Sequence, residues 1–331
     1  MKSQNNILLF LNIFITIIYL FLAIYGSIFF WNRDYTIARY WVEQKEKHSY
    51  AIFMNRTIFS GEGFGGQDFT NILIALALVL YVLSFNSKFN YWFFPLRKYT
   101  GFMLGVAILL TLTWSRLLRT FFARARPINV IEGKETFSHL LMFGSYRLED
   151  AFNHGCFPSG HTFSAMFLIV LAFIAIKTRK TWLIILIFLL SIAFGISMGV
   201  GRVMFGSHYP GDVLWSIIFS IFMTGWLYFM VFRIPQQEKG TFNFIYKPLE
   251  GSGFIIKISN IVGPMWELRY SFLYSLFSIS FFIILIGVKY SILNFTWYWP
   301  LISITGLIFS IIFYRRISVL FKDSIKHQIS E

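Results

Sequence analysis

Apolar runs long enough to cross a bilayer recur along the chain, and they constrain its fold more than any other feature. A hydrocarbon core of ~30 Å needs ~20 residues of helix, and the first run, residues 7–30, already meets that length. It also exceeds the ~7–15-residue apolar region of a secretory signal, and no small-x-small cleavage site follows it, so a retained helix is expected. Eight spans are predicted, at about 7–30, 69–86, 100–121, 160–176, 182–200, 212–232, 269–288 and 297–314. The expected fold is all-α and polytopic. A six-helix unit would occupy residues 1–233, a cytoplasmic connector 234–268, and a two-helix appendage with a short cytoplasmic tail 269–331. The connector region is marked by Pro235, Gly240, Pro248, Gly251, Gly253 and Pro264, which punctuate rather than extend helices.

Composition agrees with this. Only 13% of the 331 residues are charged and 56% are hydrophobic, against ~25% and ~45–50% in soluble domains. A net charge of +14 in a soluble protein would suggest nucleic acid, but here the basic residues gather in short segments between apolar runs. Membrane orientation explains them, and no nucleic-acid partner is expected. Arg97, Lys98, Lys177, Arg179, Lys180, Arg315 and Arg316 share one side with both termini, which the positive-inside rule makes cytoplasmic. Arg124, Arg126 and Arg202 fall on the other side, where orientation does not require them. Charge in such a place invites a functional explanation. Cys156 is the sole cysteine, which excludes an intrachain disulfide.

Three polar segments reach that second side. In the first, Arg119 through Pro127, residues seven apart on a helix lie about two turns apart on nearly one face, so Arg119 and Arg126 are expected to face one anion before Pro127 ends the helix. The alternative is a pair of arginines snorkelling to the interface. The second is Pro158-Ser159-Gly160-His161, before an apolar run. Free N–H groups at a helix start attract anions, Ser159 adds a hydroxyl or a cap, and His161 could pass a proton to a leaving oxygen. The third is Gly201 through Asp212, in which His208 precedes Asp212 by four. That spacing lets a carboxylate take one imidazole N–H and leave the other nitrogen as nucleophile. His154, Glu149 and Asp150 are expected to be solvated, and His48, His139 and His327 incidental; no grouping has metal-ligand spacing.

Taken together, the three segments resemble the signature of the type 2 phosphatidic acid phosphatase superfamily: Lys-x6-Arg-Pro, then Pro-Ser-Gly-His, then Ser-Arg-x5-His-x3-Asp. This family includes lipid phosphate phosphatases, glucose-6-phosphatase and vanadium haloperoxidases. Two positions depart from it, since Arg119 stands for the usual Lys and Gly201 for the usual Ser. The resemblance implies that His208 attacks phosphorus, Asp212 orients it, and His161 protonates the leaving oxygen. Arg119, Arg126, Arg202, Ser159 and the Gly160 amide would hold the phosphate, with no cofactor. The implied partner is a phosphorylated membrane lipid, and the implied setting a bacterial inner membrane with the site on its periplasmic or extracellular side. Two other readings are a lipid-to-lipid phosphotransferase and a non-catalytic binder or transporter of anionic lipid. Neither the lipid nor the oligomeric state is specified by the sequence.

Overall fold

The computed structural model describes residues 19–44, 49–61, 63–86, 88–145, 148–240, 265–294 and 298–329. The start of the first expected span, most of the connector, His48 and Trp297 lie outside them. The described residues form helices and loops without a strand. Six helices are long and apolar enough to cross a membrane, and two shorter apolar ones, Tyr19–Trp31 (α1) and Asp68–Leu83, accompany them. The chain is an integral membrane protein. The helices that matter below are α2 (Asp34–Glu43), α3 (residues 97–122), α4 (Gly160–Thr178), α5 (Thr181–Met204), α6 (Pro210–Val231), α7 (Trp266–Asn294) and α8 (Tyr298–Ile329).

The chain divides into two compact units, each interleaved in sequence. One comprises Met1–Phe69, Leu118–Met166 and Leu189–Phe222; the other comprises Thr70–Leu117, Phe167–Phe188 and Met223–Glu331. In the first, small residues let α5 lie close against its neighbours. A Cβ at Gly199 would stand 2.1 Å from Val213 Cγ1, and one at Gly195 would stand 2.3 Å from Met166 Sδ. Without a hydrophobic force between helices in lipid, such close packing is a main source of association. Beside these glycines, Ile196 and Val200 of α5 stand exposed, as hydrocarbon-facing side chains would.

In the second unit α3 widens into a π-helical stretch over Ala107–Trp114. There Thr113 donates its hydroxyl to the Ile108 carbonyl at 2.9 Å and to Ser275 of α7 at 3.0 Å. α7 and α8 pack along one another through Gly287 and Gly306, and Trp266, Tyr270 and Ile317 form the buried seam. Glu267, buried at the start of α7, accepts the Tyr81 hydroxyl at 2.9 Å and lies 3.9 Å from Arg97 Nε. A buried carboxylate needs such partners, and they fix the entry of this hairpin.

Candidate active site

All three polar segments, 119–127, 158–161 and 201–212, belong to the first unit. The first does not continue as a helix to Pro127. α3 ends at Phe122, because Ala123 adopts a left-handed conformation (φ 55°) and the Gly144 N–H takes the Phe122 carbonyl at 2.8 Å. Arg126 is extended, and Pro127 starts a new short helix rather than stopping the old one, the position where its missing N–H costs least. Arg119 and Arg126 therefore converge through a break in the chain, not by lying on one helix face.

The second segment is a capped helix start. Ser159 is fully buried, and its Oγ accepts the Thr162 N–H at 3.4 Å and the Thr162 hydroxyl at 2.9 Å. Its carbonyl accepts the Ser216 hydroxyl at 3.2 Å, which joins the start of α4 to α6. Gly160 and His161 are the first residues of α4, where backbone N–H groups have no intrahelical acceptor.

The third segment is shaped by how α5 stops and α6 starts. Gly206 (φ 74°) lets the Ser207 N–H return to the Arg202 carbonyl at 3.1 Å and the Gly206 N–H to Val203 at 2.9 Å. This is a Schellman termination, and a left-handed residue at that place is normally glycine. The chain then reverses within four residues. Pro210 opens α6 and Asp212 accepts the Tyr209 N–H at 2.9 Å, the reciprocal half of a capping box.

These starts and stops bring the expected site residues together. Arg202 is buried within electrostatic range of Arg126 and Arg119, and His161 lies within range of Arg202, His208, Arg119 and Arg126. The Nε atoms of Arg126 and Arg202 are buried without a hydrogen-bond partner among the described residues. Three like charges repel, and a phosphate-sized anion among them would relieve the repulsion and accept those donors.

His208 is 2% exposed. Its Nδ1 lies 2.7 Å from the Cys156 carbonyl oxygen and 3.8 Å from Asp212 Oδ2. A carbonyl only accepts, so Nδ1 carries the proton and Nε2 carries the lone pair. The tautomer required of a nucleophile is thus set by main chain, whereas the spacing suggested Asp212 in that position. Burial pushes the imidazole down to about 4, with Arg202 adding to the effect and Asp212 opposing it. The ring is neutral at pH 7.

Asp212 is engaged elsewhere. Its Oδ1 accepts Arg124 Nη1 at 2.6 Å, and Arg124 Nη2 reaches Asp34 Oδ2 at 2.9 Å. Arg124, 1% exposed, also donates Nε to the Ser138 carbonyl at 3.0 Å and lies 4.1 Å over the Tyr209 ring. Asp34, from α2, accepts the Gly211 N–H at 2.7 Å. The misplaced charge of Arg124 was visible in the sequence, but its partner was not. Asp34 precedes it by ninety residues, and no periodicity connects them.

Of the residues expected to be peripheral, His48 and the His327 side chain lie outside what is described. Glu149, Asp150 and His154 are exposed on a short helix, and His139 stacks on Trp31 at 4.9 Å. Cys156 is fully buried, its thiol donating to the Ala125 carbonyl at 3.2 Å and pushed well up by burial.

Residues 99–236 match the family model described as PAP2 superfamily, and all three polar segments fall inside the match. Neither the curated proteins nor the solved structures compared with the chain include a match.

Proposed function

We propose, from the match of residues 99–236 to the PAP2 superfamily, a family of phosphatases and phosphotransferases, that the chain hydrolyses the terminal phosphate of a membrane lipid. The observation that carries this reading is a buried, neutral His208 with its Nδ1 proton held by a carbonyl, set among Arg119, Arg202 and His161. Nε2 attacks phosphorus as the bond to the lipid oxygen breaks, and His161, which takes up a proton once the bound phosphate dianion offsets the arginines around it, passes that proton to the leaving oxygen. Water then attacks the phosphohistidine, His161 takes its proton, and phosphate leaves. Arg119, Arg126 and Arg202, with Ser159 and the Gly160 amide, face the charge on the equatorial oxygens, where stabilisation counts most in phosphoryl transfer. Three guanidiniums supply the positive charge that a metal ion supplies elsewhere, so the reaction proceeds without one.

A lipid substrate is supported by a cleft of about 390 Å³ with almost purely hydrocarbon walls. Val203, Pro210 and Val213, which help to line it, are chain neighbours of Arg202, His208 and Asp212. The acceptable headgroups are polyprenyl diphosphate, phosphatidic acid, phosphatidylglycerophosphate or a lipid A-type phosphoglycolipid. The positive-inside distribution supports a site on the non-cytoplasmic face, the periplasmic or extracellular side if the membrane is a bacterial inner membrane.

The test is phosphate release by the purified protein from a panel of these lipids, in EDTA, beside His208→Ala. Release from at least one lipid, abolished by the substitution in a protein that still inserts and folds, is the expected result. Transfer of label to a second lipid in place of free phosphate would make the protein a phosphotransferase. Turnover by folded His208→Ala, or strict dependence on magnesium, would overturn the mechanism.

A further inference from the structure

The Asp34–Arg124–Asp212 array has no part in the reaction as described so far. Each member is buried to 1% exposure or less, and each is held by further bonds: Gly211 N–H on Asp34, the Ser138 carbonyl on Arg124, Tyr209 N–H on Asp212. Stability alone does not account for it, because hydrophobic replacement of such a buried ionic set is often neutral or stabilising. Charge arithmetic does. Asp212 approaches the His208 ring to 3.8 Å, but Arg124 bonds that same carboxylate, so the pair by itself presents no net charge to the ring. With Asp34 on the far side of Arg124 the array carries one net negative charge.

We propose that Asp34 is a positioning and charge-compensating residue for the phosphoryl transfer proposed above, on which this inference rests. As the His208–phosphorus bond forms, the neutral ring becomes an imidazolium that still holds its Nδ1 proton. Asp34 neutralises Arg124, and Asp212 is then free to stabilise that cation. Around His208 the other charged or titratable groups among the described residues include Arg202, Arg119, His161, Cys156 and Tyr209; burial pushes the Cys156 thiol and the Tyr209 hydroxyl up, so none of these is anionic at pH 7. The array is therefore the source of negative potential on the ring.

Two readouts test this, one of them independent of turnover. The first is kcat and KM for wild type, Asp34→Asn and the double variant Asp34→Asn/Arg124→Gln. Asp34→Asn keeps shape and an acceptor but loses the charge; kcat should fall ~10–100-fold with KM nearly unchanged. The double variant removes one charge of each sign and restores the net negative charge, so it should recover about tenfold of that loss. The second readout is the titration of His208 by ¹⁵N NMR of histidine-labelled protein. Asp34→Asn should lower it by about one unit, and Arg124→Gln should raise it by a comparable amount. Arg124→Gln carries the test if Asp34→Asn does not fold. Wild-type kcat in folded Asp34→Asn, a double variant no faster than the single one, or an unmoved titration would each overturn the proposal. If wild type releases phosphate from no lipid while the titration moves as stated, the functional reading fails and the charge relation stands. If His208-dependent turnover is found and the titration does not move, the outcome is the reverse.

Discussion

Three arginines within eight residues, Arg119, Arg124 and Arg126, do different work, and burial decides which does what. Arg124 is held by two internal carboxylates, whereas Arg126 has a buried donor left over. The sequence marked Arg124 and Arg126 as unusual for their side of the membrane, and paired Arg119 with Arg126, but could not divide the roles, since the division depends on Asp34 and Asp212 arriving from remote elements. The histidine was legible and its acceptor was not. An i to i+4 carboxylate is the local candidate, yet Asp212 sits in the first turn of α6 and spends its oxygens on Tyr209 N–H and Arg124. Two titrations follow for kcat/KM. Burial pushes Asp34 up to about 6, so acid should first bring a partial loss near that pH as its charge disappears. Burial holds His208 down to about 4, so complete loss should wait until its lone pair is protonated there. A pH profile of wild type and Asp34→Asn checks both, because the upper step should be absent from the variant. A single limb at the ordinary imidazole value of ~6.5 would contradict the burial of His208.

At the scale of elements, the six helices long and apolar enough to span a membrane and the two shorter apolar ones among the described residues overlap the eight expected segments, because span length and hydropathy are local properties. The breaks between them were less legible. The stop at Ala123 departs from the expectation of a helix running to Pro127, and its cause is tertiary: the chain has to leave the helix for Arg124 to reach both carboxylates. The stop at Gly206 is governed by backbone sign. Gly206→Ala would place a Cβ in a left-handed residue, 2.7 Å from Val42 Cγ2. It should cost about 1–2 kcal/mol, measured by thermal unfolding in detergent, and should lower kcat because His208 follows two residues later. The hydrocarbon cleft gives a test of another kind. Val200 lines it and is partly exposed, so Val200→Trp should fill it without disturbing the arginines. Long-chain substrate should then lose about tenfold in kcat/KM, while a soluble aryl phosphate, which has no chain to seat, keeps its rate. Equal loss for both substrates would remove the cleft from the substrate path.

For the whole molecule, sidedness joins the topology to the chemistry. The native thiol cannot report it, since Cys156 is fully buried. Thr136, exposed in the segment between α3 and α4, is the better position. In intact cells a membrane-impermeant thiol reagent should label Thr136→Cys. Labelling only after permeabilisation would put the site in the cytoplasm and reverse the orientation drawn from Arg97, Lys177 and Arg315.

The Cys156 carbonyl that receives His208 Nδ1–H has no proton to gain or lose under any condition in which the fold survives. A carboxylate acceptor would itself titrate, and the ring's choice of protonated nitrogen would then drift with acidity. Here that choice is a matter of geometry. The ¹⁵N signals of His208 should report one tautomer, protonated at Nδ1, at every pH above its own titration; a mixture that changes with pH would show that the ring is free to turn.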